Sequence, residues 1–204
     1  MRAKLLLAAG LLLALAGCGS GDASNDAAST QPTTVTQTVT ETETIAQEPE
    51  VTCSTAGLRL TLPEQDLPPA VADVRKRIFG AAVACDYDTL EQIALEKGAG
   101  FTFSYGGETD ASDYWRTLEE EGTEKPMRAL ATILTQPYTR NESGSYAWPT
   151  AYSENPTEEA WQALVDAGLY TQNQIDQMKT AGSYLGWRTA ITTDGDWQFF
   201  VAGD

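Results

Sequence analysis

The chain has 204 residues, of which 42% are hydrophobic, and its net charge at pH 7 is −16. Negative charge of this size repels nucleic acid phosphates and anionic lipid headgroups, so the composition predicts no nucleic acid partner. The sequence contains no histidine, which excludes Ser–His and Cys–His catalytic pairs and histidine metal ligands. We therefore expect no cofactor and no metal site.

Residues 1–17 have the pattern of a secretory signal peptide. Arg2 and Lys4 form a short positive end, and the segment from Leu5 to Gly17 is rich in Leu and Ala. That segment has 13 residues, whereas a membrane-spanning helix needs about 20. The pattern predicts export through a translocation machine, followed by removal of the segment.

The residues Leu15-Ala16-Gly17-Cys18 resemble the lipobox of bacterial lipoproteins. The resemblance implies that a diacylglycerol is attached to the Cys18 sulfur and that the chain is cut just before this residue. Two acyl chains suit stable anchoring, because a single chain binds a membrane only marginally. The protein is then expected at the extracytoplasmic face of the cell membrane, held there by its lipid anchor. The alternative is an ordinary signal peptide with a coincidental cysteine.

Residues 18–50 are predicted to be the lipidated cysteine and a disordered, Thr-rich tether. The segment after Cys18 has no aromatic residue, and its only large aliphatic residues are Val35, Val39 and Ile45. Such a composition buries too little apolar surface to offset the entropy of the chain. About 32 flexible residues have a root-mean-square reach of roughly 30 Å, which lifts a domain clear of the headgroups.

Residues 51–204 are predicted to form a single globular domain, with a net charge of −12 from 23 acidic and 11 basic side chains. Cys53 and Cys85 make an even pair in an oxidising compartment, which predicts a disulfide between them. A zinc site is the alternative, but two thiolates without histidine make a poor one.

Hydrophobic periodicity and capping residues predict six helices in this domain. In chain order they run from Ala70 to Cys85, from Asp86 to Gly98, from Thr109 to Glu121, from Lys125 to Gln136, from Thr157 to Gly168 and from Thr171 to Lys179.

Strand signals lie between and after these helices. Residues 57–63 are predicted to be a short strand or an extended segment, and Phe101–Tyr105 alternates strictly, as a strand does. Tyr146–Pro149 is predicted to be an edge segment, because proline cannot donate to a ladder. The Asp194-Gly195 pair predicts a C-terminal hairpin. The fold class is thus α+β, with several helices packed on a small antiparallel sheet that ends in a β-hairpin.

Several motifs resemble those of a family of secreted, uncharacterised bacterial lipoproteins, chiefly actinobacterial. They are Cys53, the run Ala82–Asp88, the run Phe101–Gly106, the run Tyr184–Arg188 and the closing run Asp194–Asp204. The resemblance implies an extracytoplasmic domain but no particular activity. A weaker likeness is to NTF2-like folds, which have a similar Asp-Tyr-Asp-Thr-Leu helix start and often close on a strand with a comparable turn.

Aromatic residues near loops and strand ends are the candidate ligand site, because exposed rings stack on sugars and small ligands. Next to them, a guanidinium is suited to hold a carboxylate. The predicted ligand-binding residues are Trp148, Tyr152, Tyr184, Trp187 and Arg188. The alternative is that the large aromatics, Trp161, Trp187 and Trp197 among them, simply fill the core.

Paired carboxylates are the remaining route to catalysis. The candidates are Asp110 with Asp113, Glu119 to Glu121, and Glu158 with Glu159, but all of these positions also suit helix caps and solvated helix faces. We therefore predict no catalytic residue. The expected function is a non-catalytic binding module for an envelope protein or glycan. The alternatives are a carboxylate-dependent hydrolase acting on glycans or peptides, and a structural or assembly factor.

Replacing Cys18 by Ala should release the protein from the membrane into the soluble fraction, because the thioether to the diacylglycerol can no longer form. Cell fractionation with immunodetection measures this change. Ser20→Ala, which leaves the lipobox intact, is the matched control and should stay in the membrane fraction. Retention of the Cys18→Ala variant with the membrane would contradict the lipid anchor.

Overall fold

The structure, a computed structural model, describes residues 53–98 and 100–203; the predicted signal peptide, Cys18 and the tether lie outside these residues. The described chain is an α+β domain. Its helices are α1 (Pro69–Ala84), α2 (Tyr87–Leu95), α3 (Ala111–Glu121), α4 (Pro126–Thr135), α5 (Glu158–Asp166) and α6 (Gln172–Ala181), with a 3₁₀ turn at Thr150–Tyr152. Its strands are β1 (Thr139–Arg140), β2 (Tyr146–Trp148), β3 (Arg188–Ile191) and β4 (Trp197–Val201).

All six predicted helices are confirmed, and side-chain caps explain where several of them begin. The Asp86 carboxylate accepts the Thr89 amide at 3.0 Å at the start of α2. The Thr157 hydroxyl caps α5 in the same way, and Thr171 forms a reciprocal capping box at the start of α6. These short polar side chains satisfy amides that have no partner within the helix.

The four strands form one antiparallel sheet in the order β1-β2-β3-β4. The predicted hairpin of β3 and β4 is confirmed, and its turn contains Asp194 and Gly195. Gly195 has a φ of +84°, and a Cβ on it would lie 2.9 Å from the carbonyl oxygen of Ala70. Glycine is therefore required at position 195 for two reasons: the positive φ of the backbone and the close approach to α1.

Two predictions about strands are wrong. Residues 146–148 are not an edge segment, because Thr139–Arg140 forms β1 outside them. The segment Phe101–Tyr105 is not a full strand: Thr102 makes a single bridge to Phe199 at the outer side of β4. The physical reason lies in the packing of its aromatic rings, since Phe101 and Phe103 pack against Trp115 of α3.

The main core lies between the sheet and helices α1 to α4. Its largest fully buried side chains are Trp115, Trp148, Trp197 and Phe200. Trp115 stacks on Trp197 with 6.0 Å between ring centroids. A second, smaller cluster of buried residues joins α5, α6 and the 3₁₀ turn: Ala151, Trp161, Leu164, Ile175, Met178 and Tyr184. The segment that precedes β3 lies where these two clusters meet.

The predicted disulfide between Cys53 and Cys85 is confirmed and ties the start of the described domain to the end of α1. In the chain-entropy account, closing a loop of this length stabilises the fold by about 3.7 kcal/mol. Next to it, the buried Glu119 carboxylate accepts the Ser54 hydroxyl at 2.7 Å and the Met127 amide at 3.0 Å. One side chain thus joins the disulfide segment, α3 and the first turn of α4.

Replacing Glu119 by Ala should lower the free energy of unfolding by about 2 kcal/mol, because the buried Met127 amide loses its acceptor. Urea unfolding followed by circular dichroism measures the change. Glu120→Ala, at the exposed neighbouring position, is the control and should stay close to wild type. Equal stability of the two variants would show that the Glu119 bonds contribute nothing net.

Candidate functional site

Two clefts open on either side of the chain segment 182–187. The first cleft has a volume of about 940 Å³ and is lined by residues 140–143, 152–155 and 182–184. The second cleft, of about 680 Å³, is lined mainly by residues 123–125, 168–170 and 185–187 and by side chains of α6. Residues 182–187, which we call the wall segment, therefore contribute to both clefts.

Two tyrosines hold the wall segment in place. The Trp187 amide donates to the Tyr170 hydroxyl at 2.7 Å, and the Tyr184 hydroxyl donates to the Trp187 carbonyl at 2.8 Å. Burial raises the pKa of Tyr170 and raises that of Tyr184 well above its ordinary value. Both phenols therefore stay neutral at physiological pH and keep the peptide groups of Trp187 satisfied.

The turn between β1 and β2 forms the opposite side of the first cleft. The Asn141 side-chain oxygen accepts the Ser145 amide and the Ser143 hydroxyl, each at 2.8 Å. The Ser145 hydroxyl donates in turn to the Gln198 side chain of β4 at 2.7 Å. These bonds fix the turn on the sheet, so the polar side chains beside it have a defined position.

Arg188 is buried at the boundary between the two clefts, with 8% of its surface exposed. Its guanidinium donates to the Gly186 carbonyl at 3.2 Å and to the Tyr105 hydroxyl at 3.0 Å. The ring of Tyr152, which lines the first cleft, lies 5.4 Å from the guanidinium carbon. Within residues 53–98 and 100–203, no carboxylate forms a salt bridge with this cation. A buried charge without an opposite charge is costly.

The domain contains a second buried arginine, Arg75, with a different environment. It donates to the Leu134 carbonyl at the end of α4, with bonds of 2.6 and 3.2 Å, and to the Pro63 carbonyl at 3.0 Å. Its guanidinium lies over the Trp148 ring, and burial lowers its pKa to about 10. The carbonyls at a helix C-terminus carry partial negative charge, so Arg75 is a structural cation. Arg188 has no comparable set of partners.

The structure brings four of the five predicted ligand residues together at the wall segment. Tyr152 and Tyr184 line the first cleft, Trp187 lines the second, and Arg188 contacts residues of both. Trp187 is largely core: its ring stacks on Phe200 at 4.6 Å, and its indole N–H donates to Glu124 at 3.2 Å.

Trp148 lies away from both clefts, fully buried in the main core. Its indole N–H donates to the Gln65 side chain at 3.2 Å. The reason is strand geometry, because residues paired across antiparallel strands share one face of the sheet. Trp148 pairs with Thr189, which pairs with Phe200 on the core face, whereas the neighbouring Arg188 points to the other face.

Other residues of the site carry no signal in the sequence. Arg140, Glu142 and Glu154 line the first cleft and are exposed, and the Arg140 guanidinium lies 4.0 Å from the centre of the Tyr146 ring. They come from separate loops, and no spacing in the sequence links them. Tyr105, the hydroxyl partner of Arg188, lies in the segment that was expected to be a strand.

The predicted acidic pairs lie outside both clefts. Asp110 caps α3, and the amide of Asp113 holds the pKa of its carboxyl below the usual value. Glu119 is a buried structural acceptor, and Glu158 pairs with Lys179. The described part of the chain has no group of three or more Cys, Asp or Glu placed to hold a metal ion, and none of its helices is long and apolar enough to cross a membrane.

Replacing Gly186 by Ala should lower the free energy of unfolding by about 1–3 kcal/mol, a typical overpacking cost. A Cβ there would lie 2.5 Å from the Tyr170 hydroxyl and 2.6 Å from the Tyr184 ring, and both phenols are held by their bonds to Trp187. Gly107→Ala is the control, since nothing lies within 4 Å of its Cβ position. Chemical unfolding measures both variants, and equal midpoints would contradict the close packing of the wall segment.

No family model, curated protein or solved structure matches this chain. The resemblances to secreted bacterial lipoproteins and to NTF2-like folds therefore stay predictions, and the function of the domain is inferred from its own residues.

Proposed function

We propose that this chain is a lipid-anchored, extracytoplasmic lipoprotein whose domain binds a glycan of the cell envelope, without catalysis, in the first cleft. The observation that carries the proposal is the combination of a wide concave cleft with aromatic rings and many uncharged polar side chains. Its volume, about 940 Å³, lies in the range of ligand pockets, which is roughly 300–1,000 Å³.

The lining of the first cleft has the chemistry that sugars require. Hydroxyl groups of a sugar need both donors and acceptors, and the cleft offers the amides of Asn141 and Asn155 with the hydroxyls of residues 143, 153 and 183. The C–H face of a sugar ring needs an aromatic surface, which Tyr152 offers. Protein partners usually dock on a patch with an apolar centre, whereas most of the side chains that line this cleft are polar. A glycan therefore fits better than a protein.

The extracytoplasmic location is supported by the N-terminal sequence and by charge. The lipobox-like residues and the Thr-rich tether predict a domain held near, but not on, a membrane. The net charge of −12 on residues 51–204 repels anionic headgroups, so the domain keeps its distance from its own membrane. The disulfide between Cys53 and Cys85 suits an oxidising compartment.

A glycan hydrolase is the second candidate, because two exposed carboxylates, Glu142 and Glu154, line the same cleft. Glycosidases use two carboxyl groups on opposite sides of the bond that is cut. The two candidates differ in one measurable respect: a hydrolase would release new reducing ends from a bound glycan, and Glu154→Gln would abolish that release.

The double substitution of Ser153 and Asn155 by Ala should weaken binding of the full-length protein to polysaccharide extracted from the producing cell envelope by about tenfold, because two polar contacts in the first cleft are lost. Co-sedimentation of the detergent-solubilised protein with the insoluble polysaccharide measures the affinity. The control is the double substitution of Gln172 and Asn173 by Ala, at exposed positions of α6 outside the first cleft.

Three results would decide between the candidates. Binding by wild type that is lost in the cleft variant but kept in the control supports the glycan module. Absence of binding by wild type overturns it. Release of reducing ends that depends on Glu154 would replace it by the hydrolase.

A further inference from the structure

We propose that Arg188 is an anion-binding residue of the same site, and that the bound glycan carries a carboxylate which replaces the Tyr105 hydroxyl on the guanidinium. The inference rests on the proposed function, since it names the class of glycan that the first cleft takes. It is an acidic sugar, in which a carboxylate lies on or beside the ring.

The state of Arg188 is the first step. A guanidinium has five N–H donors, and in the described part of this domain two acceptors are found for them, both uncharged. Arg188 is only 8% exposed, and no carboxylate of the described residues pairs with it, although the domain as a whole is acidic. An anionic ligand would supply the opposite charge that the fold does not.

Arg75 shows what a purely structural arginine looks like in this fold. Its three bonds go to backbone carbonyls, two of them to Leu134 at the C-terminal end of α4 and one to Pro63, and none goes to a side chain. Arg188, in contrast, holds the hydroxyl of Tyr105, whose side chain reaches the surface and is part of a residue that is 57% exposed. The partner of Arg188 is therefore one that a ligand can displace.

Tyr105 has little else to hold it in place. It follows Ser104 and precedes Gly106 and Gly107, all in a connecting segment without helix or strand structure. Among the described residues its ring has no aromatic partner. Exchanging a phenol for a carboxylate replaces a neutral hydrogen bond by a charge-assisted one, which is about twice as strong.

The position of Tyr152 links the guanidinium to the first cleft and favours a planar anion. Its ring covers one side of the Arg188 guanidinium and also lines the cleft. The five N–H groups lie in the plane of the guanidinium, and an acceptor that approaches in this plane, such as a carboxylate, can form two parallel bonds.

Charges at the rim of the cleft do not substitute for Arg188. Arg140 is exposed there, but Glu142 and Glu154 line the same cleft and outweigh its charge. A free anion is thus repelled at the rim. A carboxylate that belongs to a sugar already held by the cleft instead reaches Arg188, a buried cation that no carboxylate of the described residues pairs with.

The test uses the full-length protein and the same envelope polysaccharide, before and after chemical reduction of its carboxyl groups to alcohols. Wild type should bind the native polysaccharide at least about tenfold more tightly than the reduced one. Arg188→Lys keeps the charge but cannot form the bidentate hydrogen bonds of a guanidinium. This variant should bind the native and the reduced polysaccharide equally weakly. Arg59→Gln, an exposed change of one charge outside the first cleft, is the control and should retain the wild-type preference.

Tyr105→Phe provides the second variant, at a position whose exposure makes unfolding no concern. Removal of the competing hydroxyl should tighten binding of the native polysaccharide by about two- to threefold and leave the reduced form unaffected. Equal binding of wild type to native and reduced polysaccharide would overturn the inference while the glycan module stands. Weaker binding by Tyr105→Phe would also overturn it. Absence of binding to both forms would remove the proposed function itself.

Discussion

The two hydrogen bonds at the peptide groups of Trp187 are the constraint on which the candidate site depends. Tyr170 accepts the amide and Tyr184 donates to the carbonyl, and both phenols belong to the region of α5 and α6. The indole of the same residue stacks on Phe200 in the main core. One residue therefore joins the smaller cluster to the larger one, and the strand that carries Arg188 begins directly after it.

This constraint also explains why a glycine precedes Trp187. The phenols approach the backbone so closely that Gly186 has no room for a side chain. The cleft walls are consequently built from backbone held by buried hydroxyls rather than from a regular strand. A neutral phenol suits this role better than an ionised carboxylate would, because Tyr184 donates to the Trp187 carbonyl and an ionised carboxylate has no proton to donate.

The helices and the C-terminal hairpin were predictable because their signals are local. Apolar residues repeat at helical spacing, short polar residues stand at the helix starts, and Asp194-Gly195 fits a hairpin turn. The two errors concern pairing over long distances. A two-residue strand such as β1 has no periodicity to detect, and the alternation in Phe101–Tyr105 reflects rings packed against Trp115 rather than a ladder of hydrogen bonds. Pairing of that kind is decided by the assembled core.

The residues of the candidate site likewise fall into those that local sequence predicts and those that only long-range packing brings together. Tyr184, Trp187 and Arg188 are close in sequence. Their proximity could therefore be predicted once the start of the strand that carries Arg188 was located correctly. The Arg140 loop, Glu154 and Tyr105 join them from distant parts of the chain, which no local pattern predicts. Trp148 illustrates the converse: it lies beside the site along the sheet, but the alternation of faces turns it into the core.

The proposed tethered module would need only modest affinity for its glycan. The predicted lipid anchor, on a tether with a reach of roughly 30 Å, would confine the domain to a thin layer next to the membrane, and an envelope glycan in that layer would be at high local concentration. Anchoring would then raise the apparent affinity for the glycan, because the cleft would meet its ligand at the effective concentration that the anchor sets. Exposed polar groups gain little free energy when they exchange water for a sugar hydroxyl. A cleft of such groups would still be sufficient at a high local concentration of glycan. The buried Arg188 would supply what such a cleft lacks, which is discrimination between an acidic sugar and the neutral sugars around it.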